Sequence, residues 1–80
     1  MKVRELLRAN NVVWVNRKPK ASSHEECLLT ALGKCYNDNT VIQITQRIRA
    51  YLHIRLLFEW NDAPERTFAD VLQVVDELDI

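Results

Sequence analysis

Glycine and proline are scarce in this chain, with one and two residues among 80, and there is no net charge. Together with 48% apolar and 28% charged residues, this scarcity excludes a linker or a disordered segment. No apolar run is longer than a few residues, which excludes a membrane-spanning helix. The chain also lacks the strong basic excess typical of a dedicated nucleic-acid binder. These absences leave a small folded protein, which we expect to form a single domain over residues 1–80.

Cysteine is scarce as well, and the two present are Cys27 and Cys35. Eight residues apart on one predicted helix, they are separated by about 12 Å along its axis. A disulfide needs Cα atoms within about 7 Å, so we expect two reduced, inward-facing thiols. Charged residues interrupt the apolar residues of the first ten positions, which argues against a signal peptide. We therefore expect a cytoplasmic protein.

Apolar residues repeat at helical spacing in four segments of the sequence. The predicted helices lie near 2–10, 22–36, 40–55 and 67–78. Two overlapping Ser-x-x-Glu pairs at 22–26 predict capping boxes at the start of the second helix, and Thr40 with Gln43 predicts one for the third. The fold class predicted is therefore mainly α, a compact small domain of four helices.

Two short apolar runs lie between these helices. Residues 12–15 are β-branched and aromatic, which favours extended backbone. The run 56–60 is short enough to be either the end of the third helix or a strand. If both runs are extended, we expect them to pair as a short two-stranded ribbon covered by helices.

The motif W-N-D-x-P-x-R-T joins an aromatic anchor, a turn and a helix start. Asn61, Asp62 and Pro64 are typical turn residues, and Thr67 with Asp70 predicts the capping box of the last helix. We expect Asp62 and Arg66 to form an ion pair that fixes this helix start, and Trp60 to be a mostly buried anchor. The residues given a structural role are Trp60, Asn61, Asp62, Pro64, Arg66 and Thr67.

Three segments together resemble a family of short uncharacterised proteins from bacteria, especially actinobacteria, and their bacteriophages. They are Trp14 after a first helix, Cys27-x-x-Thr30-Ala31-Leu32 opening a second, and the segment 60–67 leading into a Val71-Leu72 helix. The resemblance implies a phage or bacterial source, and the host cytoplasm as the location if a phage encodes the protein. It implies no mechanism, because the family has no established activity.

Four side chains, His24, Cys27, Cys35 and His53, are potential soft metal ligands. His24 and Cys27 are three apart, but no second pair at zinc-site spacing accompanies them. Buried core cysteines are the better interpretation. A Cys27–His53 nucleophilic pair has no glycine-rich oxyanion loop beside it. We therefore predict no enzyme, no metal and no cofactor.

Binding is the function that remains, and two groups of residues are candidates for it. Leu56, Leu57 and Phe58 are three consecutive apolar residues, which cannot all face inward from one regular element. They favour contact with a protein partner, either a host protein or a second copy in a homodimer. The alternative is a nucleic-acid-associated regulator that uses the third helix and a basic loop over 16–21. The basic residues of that loop are Arg17, Lys18 and Lys20.

The charges are also unevenly distributed along the chain. The charged residues among 1–20 are mostly basic, and those among 59–80 are mostly acidic. We expect the two ends to attract each other, either within one molecule or between subunits, at the close range that salt screening permits.

Overall fold

Five helices and one pair of two-residue strands make up the fold in the computed structural model, which describes all 80 residues. The elements in chain order are α1 (Val3–Leu7), β1 (Val13–Trp14), β2 (Glu25–Glu26), α2 (Leu28–Cys35), α3 (Asp38–Leu52), α4 (Leu57–Asp62) and α5 (Phe68–Glu77). The mainly α class is confirmed, whereas the count of four helices is wrong. None of the helices is both long and apolar enough to cross a membrane.

The predicted ribbon is half right: part of 12–15 is a strand, but it does not pair with 56–60. Strand β1 pairs in parallel with β2, with Val13 opposite Glu25. The run 56–60 instead forms the N-cap and first four residues of helix α4, which buries Leu57 and Asn61. These two residues are four apart and therefore lie on the same face of the helix, with Glu59 exposed on another face. In a strand, Glu59 would have pointed to the same side as both of them and so into the core.

The second helix begins later than the predicted range of 22–36. Ser22 has a positive φ of 58°, and Glu25 and Glu26 belong to β2, so neither predicted Ser-x-x-Glu capping box forms. Cys27 is the N-cap instead. Its Sγ accepts a hydrogen bond from the Thr30 backbone N–H at 3.4 Å, and Thr30 Oγ1 accepts one from the Cys27 N–H at 3.0 Å.

The other two predicted capping boxes have opposite outcomes. At α3 the prediction of Thr40 with Gln43 is wrong, because Asn37 is the N-cap and its Oδ1 accepts from the Thr40 N–H at 2.9 Å. At α5 the prediction is confirmed: Thr67 and Asp70 each accept a hydrogen bond from the other's backbone N–H. This α5 start therefore places the motif 60–67 directly before a firmly capped helix.

A single cluster of buried apolar side chains holds the helices together. Its members are Val3, Leu7, Leu28, Ala31, Leu32, Ile44, Ile48, Leu57, Val71, Val74, Val75 and Ile80. Helix α1 packs on α2 and α5, which brings the two chain ends side by side. The predicted attraction between the ends is therefore satisfied within one molecule.

Three ion pairs join the basic first helix to the acidic end of the chain. Lys2 Nζ lies 2.8 Å from Asp79 Oδ1, Arg4 binds the same carboxylate, and Arg8 binds both carboxylate oxygens of Asp76. The Arg8 guanidinium lowers the pKa of Asp76, and Lys2 with Arg4 lowers that of Asp79. Because these charges are used internally, the complementary ends no longer argue for a subunit contact.

Candidate functional site

Asn61, the second residue of the W-N-D motif, is the centre of a buried hydrogen-bond network. Its side chain is fully buried, and its Oδ1 accepts from the Trp14 indole N–H at 2.9 Å and from the Leu28 backbone N–H at 3.1 Å. Its Nδ2 donates to the Val15 carbonyl at 3.1 Å and to Asp62 Oδ1 at 2.8 Å. One side chain thereby joins β1, the start of α2 and the end of α4.

Arg66 has a structural role that differs from the predicted one. Its guanidinium carbon lies 4.1 Å from the centroid of the Trp60 ring, and its Nε donates to the Trp60 carbonyl at 2.8 Å. The ion pair predicted between Asp62 and Arg66 is wrong, because Arg66 faces Asp70 at 3.6 Å. Trp60 is half-buried rather than mostly buried, and clefts of about 200 and 260 Å³ lie on either side of this stack.

The motif therefore builds the scaffold, and the surface beside it is the candidate binding site. A groove with a volume of about 290 Å³ opens where the basic loop, the start of α2 and the outer face of α4 meet. We call it the α4 groove. Its lining residues are Arg17, Lys18, Pro19, Cys27, Leu29, Thr30, Phe58 and Asp62.

Two of the apolar side chains that line this groove are accessible to solvent. Phe58 is 51% exposed and Leu29 is 38% exposed, and both line the groove. Leu56 is 36% exposed but faces the cleft on the other side of α4. Leu57 is only 4% exposed and belongs to the core. The prediction that all three residues of 56–58 form a binding surface is therefore wrong for Leu57, which the α4 helix turns inward.

Of the charged residues that line the α4 groove, one has an ion-pair partner within the molecule and two have none. Arg17 is bound to the Glu25 carboxylate, and this hydrogen bond, with a second from the Lys20 backbone N–H, lowers the pKa of Glu25 to about 2. Lys18 and Asp62 belong to no ion pair, and Asp62 accepts only from Asn61. The groove thus carries one uncompensated cation from the loop and one uncompensated anion from α4.

The two cysteines lie in different environments. Both are free; Cys27 is buried at the N-cap of α2, whereas Cys35 is half-buried. Burial raises the pKa of the Cys35 thiol. His24 lies before α2 rather than on it, so it does not share a helix face with Cys27. No three His, Cys, Asp or Glu side chains are grouped closely enough to hold a metal ion.

The sequence matches one protein family, described as a family of unknown function (DUF6197), over residues 2–78. The chain belongs to this family. No curated protein matches the chain, and no solved structure does so either. The predicted likeness to an uncharacterised family is thus confirmed, and the family description adds no chemistry to the geometry of the site.

The structure brings together only part of the predicted binding set. Arg17, Lys18 and Phe58 meet in the α4 groove, although they lie 40 residues apart in the sequence, whereas Lys20 lies outside its lining. Pro19, Leu29 and Asp62 were not predicted as binding residues. The signal for Leu29 was the i, i+3, i+4 spacing of the apolar residues that α2 buries, which leaves Leu29 outside that face of the helix; the buried residues are Leu28, Ala31 and Leu32.

Proposed function

We propose that this member of DUF6197 is a small non-enzymatic accessory protein of a bacteriophage or a bacterium, which acts by contact with another protein through the α4 groove. The observation that carries the proposal is the exposure of Phe58 and Leu29 on a concave surface. An aromatic residue beside a concave apolar surface is the usual centre of a protein contact.

The energetics of Phe58 support this choice of surface. A half-exposed phenylalanine leaves apolar area in water, and covering that area with a partner yields about 25 cal/mol for each Å². The charged residues Lys18 and Asp62 lie at the edge of the same groove, which matches the apolar centre and polar rim of a typical interface.

The proposed source and location depend on the sequence resemblance described above. That resemblance supports a bacteriophage or bacterial origin, and the pair of free thiols fits a reducing cytoplasm. For a phage protein this would be the host cytoplasm.

A nucleic-acid-associated regulator is the alternative, with Lys18 and Lys20 as phosphate contacts. Its support is weaker, because Arg17 of the same loop is neutralised by Glu25 and Asp62 adds a negative charge to the groove. The salt dependence of binding to random duplex DNA tests it, since each neutralised phosphate adds about 0.9 to the slope of log K against log salt.

The test of the proposed function is co-purification with a matched pair of variants in an actinobacterial host. Phe58→Asp places a charge in the α4 groove, and Ile42→Asp places one on α3 at a similar exposure of 57%. We expect a partner, which is either a host protein or a co-expressed untagged copy of this chain, to be recovered with the parent and the Ile42 variant and lost with the Phe58 variant. Equal recovery with all three proteins would contradict the use of this groove.

A further inference from the structure

We infer that the occupant of the α4 groove is a second copy of this chain, bound about a two-fold axis that sets Lys18 of each copy against Asp62 of the other. This inference rests on the proposed function, because it names the partner of the same groove. It follows from the charges of the groove, from its shape and from the neutrality of the whole chain.

The charges of the groove select an occupant that carries both signs. A purely acidic segment would be repelled by Asp62, and a purely basic one by Lys18, since neither residue has an ion-pair partner of its own. The same face on a second molecule offers one cation and one anion in the same spacing. A two-fold axis along the groove maps the basic loop of each copy onto the α4 side of the other, so both pairs form at once.

The apolar side chains of the groove suit the same two-fold arrangement. Phe58 projects from α4 with about half of its surface in water, and an apolar hollow lined by Pro19 and Leu29 lies next to it. In the two-fold arrangement each Phe58 lies over the hollow of the other copy. The exchange of identical residues is what an isologous interface requires.

The size of the face sets the expected strength of the dimer. A standard interface takes about 800 Å² from each partner, which is roughly one sixth of the 5144 Å² that this chain exposes. The exposed apolar residues of the groove fill only the centre of such an area, so we expect dissociation in the micromolar range rather than an obligate dimer. With a net charge of zero, two copies do not repel each other at long range.

Sedimentation equilibrium of the purified chain, from low micromolar to near-millimolar concentration, tests the inference with two charge-reversal variants. Lys18→Glu and Asp62→Lys each turn both intersubunit pairs into repulsions, so each variant alone should dimerise roughly tenfold more weakly than the parent. An equimolar mixture of the two variants should regain the parent affinity, because every pair in the mixed dimer is again of opposite sign.

The matched controls change the same charges outside the groove. Lys20→Glu on the same loop and Glu65→Lys after α4 should leave the dimerisation of the parent unchanged. The unfolding curve of each variant establishes that it is folded, and the recovery in the mixture provides a readout that loss of folding cannot imitate.

Two results would overturn the inference. The first is a parent that sediments as a monomer over the whole concentration range, and the second is a mixture that associates no better than its components. If the parent is a monomer and a foreign protein is still lost on Phe58→Asp in co-purification, the second copy is refuted and the proposed function is supported. If neither association occurs, both are refuted.

Discussion

Replacement of Asn61 by alanine is expected to be the most damaging single change of a polar residue in this protein. The Asn61 side chain is fully buried and takes part in four hydrogen bonds. The alanine variant removes all four at once. It leaves the Leu28 N–H, the Trp14 indole N–H and the Val15 carbonyl without their partner. Because the Asn61 side chain is fully buried, water has no direct path to replace it.

The expected cost follows from these three groups. An unsatisfied buried donor or acceptor costs about 1–3 kcal/mol, and the Leu28 N–H falls in the upper half of this range because its bond to Asn61 is buried. The Trp14 and Val15 groups are part-buried and contribute about 1 kcal/mol each. The sum is about 4–5 kcal/mol, against a total stability of about 4–12 kcal/mol for a domain of this size.

Urea denaturation followed by tryptophan fluorescence measures this loss in free energy of unfolding. Asn16→Ala is the matched control, because Asn16 makes one hydrogen bond of 3.3 Å to the Ala63 carbonyl, and its loss should cost about 1 kcal/mol or less. A value for Asn61→Ala within about 1 kcal/mol of the parent would refute the assignment of Asn61 as the centre of the network.

Three further predictions concern the thiol cap, the stacked tryptophan and acid stability. Cys27→Ser should leave the melting temperature unchanged or raise it slightly, because a hydroxyl is a better N-cap acceptor than a thiol; a large drop would show that packing of the sulfur dominates. Trp60→Ala should cost about 2–4 kcal/mol, seen as a melting temperature lowered by about 10 °C or more, and an unchanged melting curve would exclude Trp60 as an anchor. The pKa of Glu25 is lowered to about 2 and that of Asp76 is lowered too, so the unfolded chain binds protons more tightly at these carboxylates. Their contribution to stability should be complete above about pH 4.5 and be lost progressively as the pH falls towards about 2. Melting temperatures that do not fall between about pH 6 and about pH 3 would contradict these ion pairs.

The features that were predictable from the sequence depend on residues that are close together along the chain. The capping box of Thr67 with Asp70 joins groups three residues apart, so its pattern is visible in the chain itself. The same rule failed at Ser22 and Ser23, because the two glutamates that follow are drawn into β2 by pairing with β1. The local signal there was present, and a tertiary contact overrode it.

The features that could not be predicted join residues distant in the sequence. Asn61 was assigned to a turn because asparagine is common there, whereas its partners Trp14 and Leu28 lie 47 and 33 residues away. The α4 groove is similar, since the loop at Lys18 and the helix at Phe58 meet only in the folded chain. The surplus of apolar residues at 56–58 was visible, but only the helix decides that Phe58 is exposed and Leu57 is buried.

Site-specific photo-crosslinking in a bacterial cell tests the central claim, protein contact through the α4 groove, most directly. A photoreactive phenylalanine analogue at position 58 probes the groove, and the same analogue at position 42 probes a similarly exposed site on α3. We predict covalent protein adducts from position 58 and none from position 42. The absence of adducts at position 58, or an equal yield at both positions, would contradict the account.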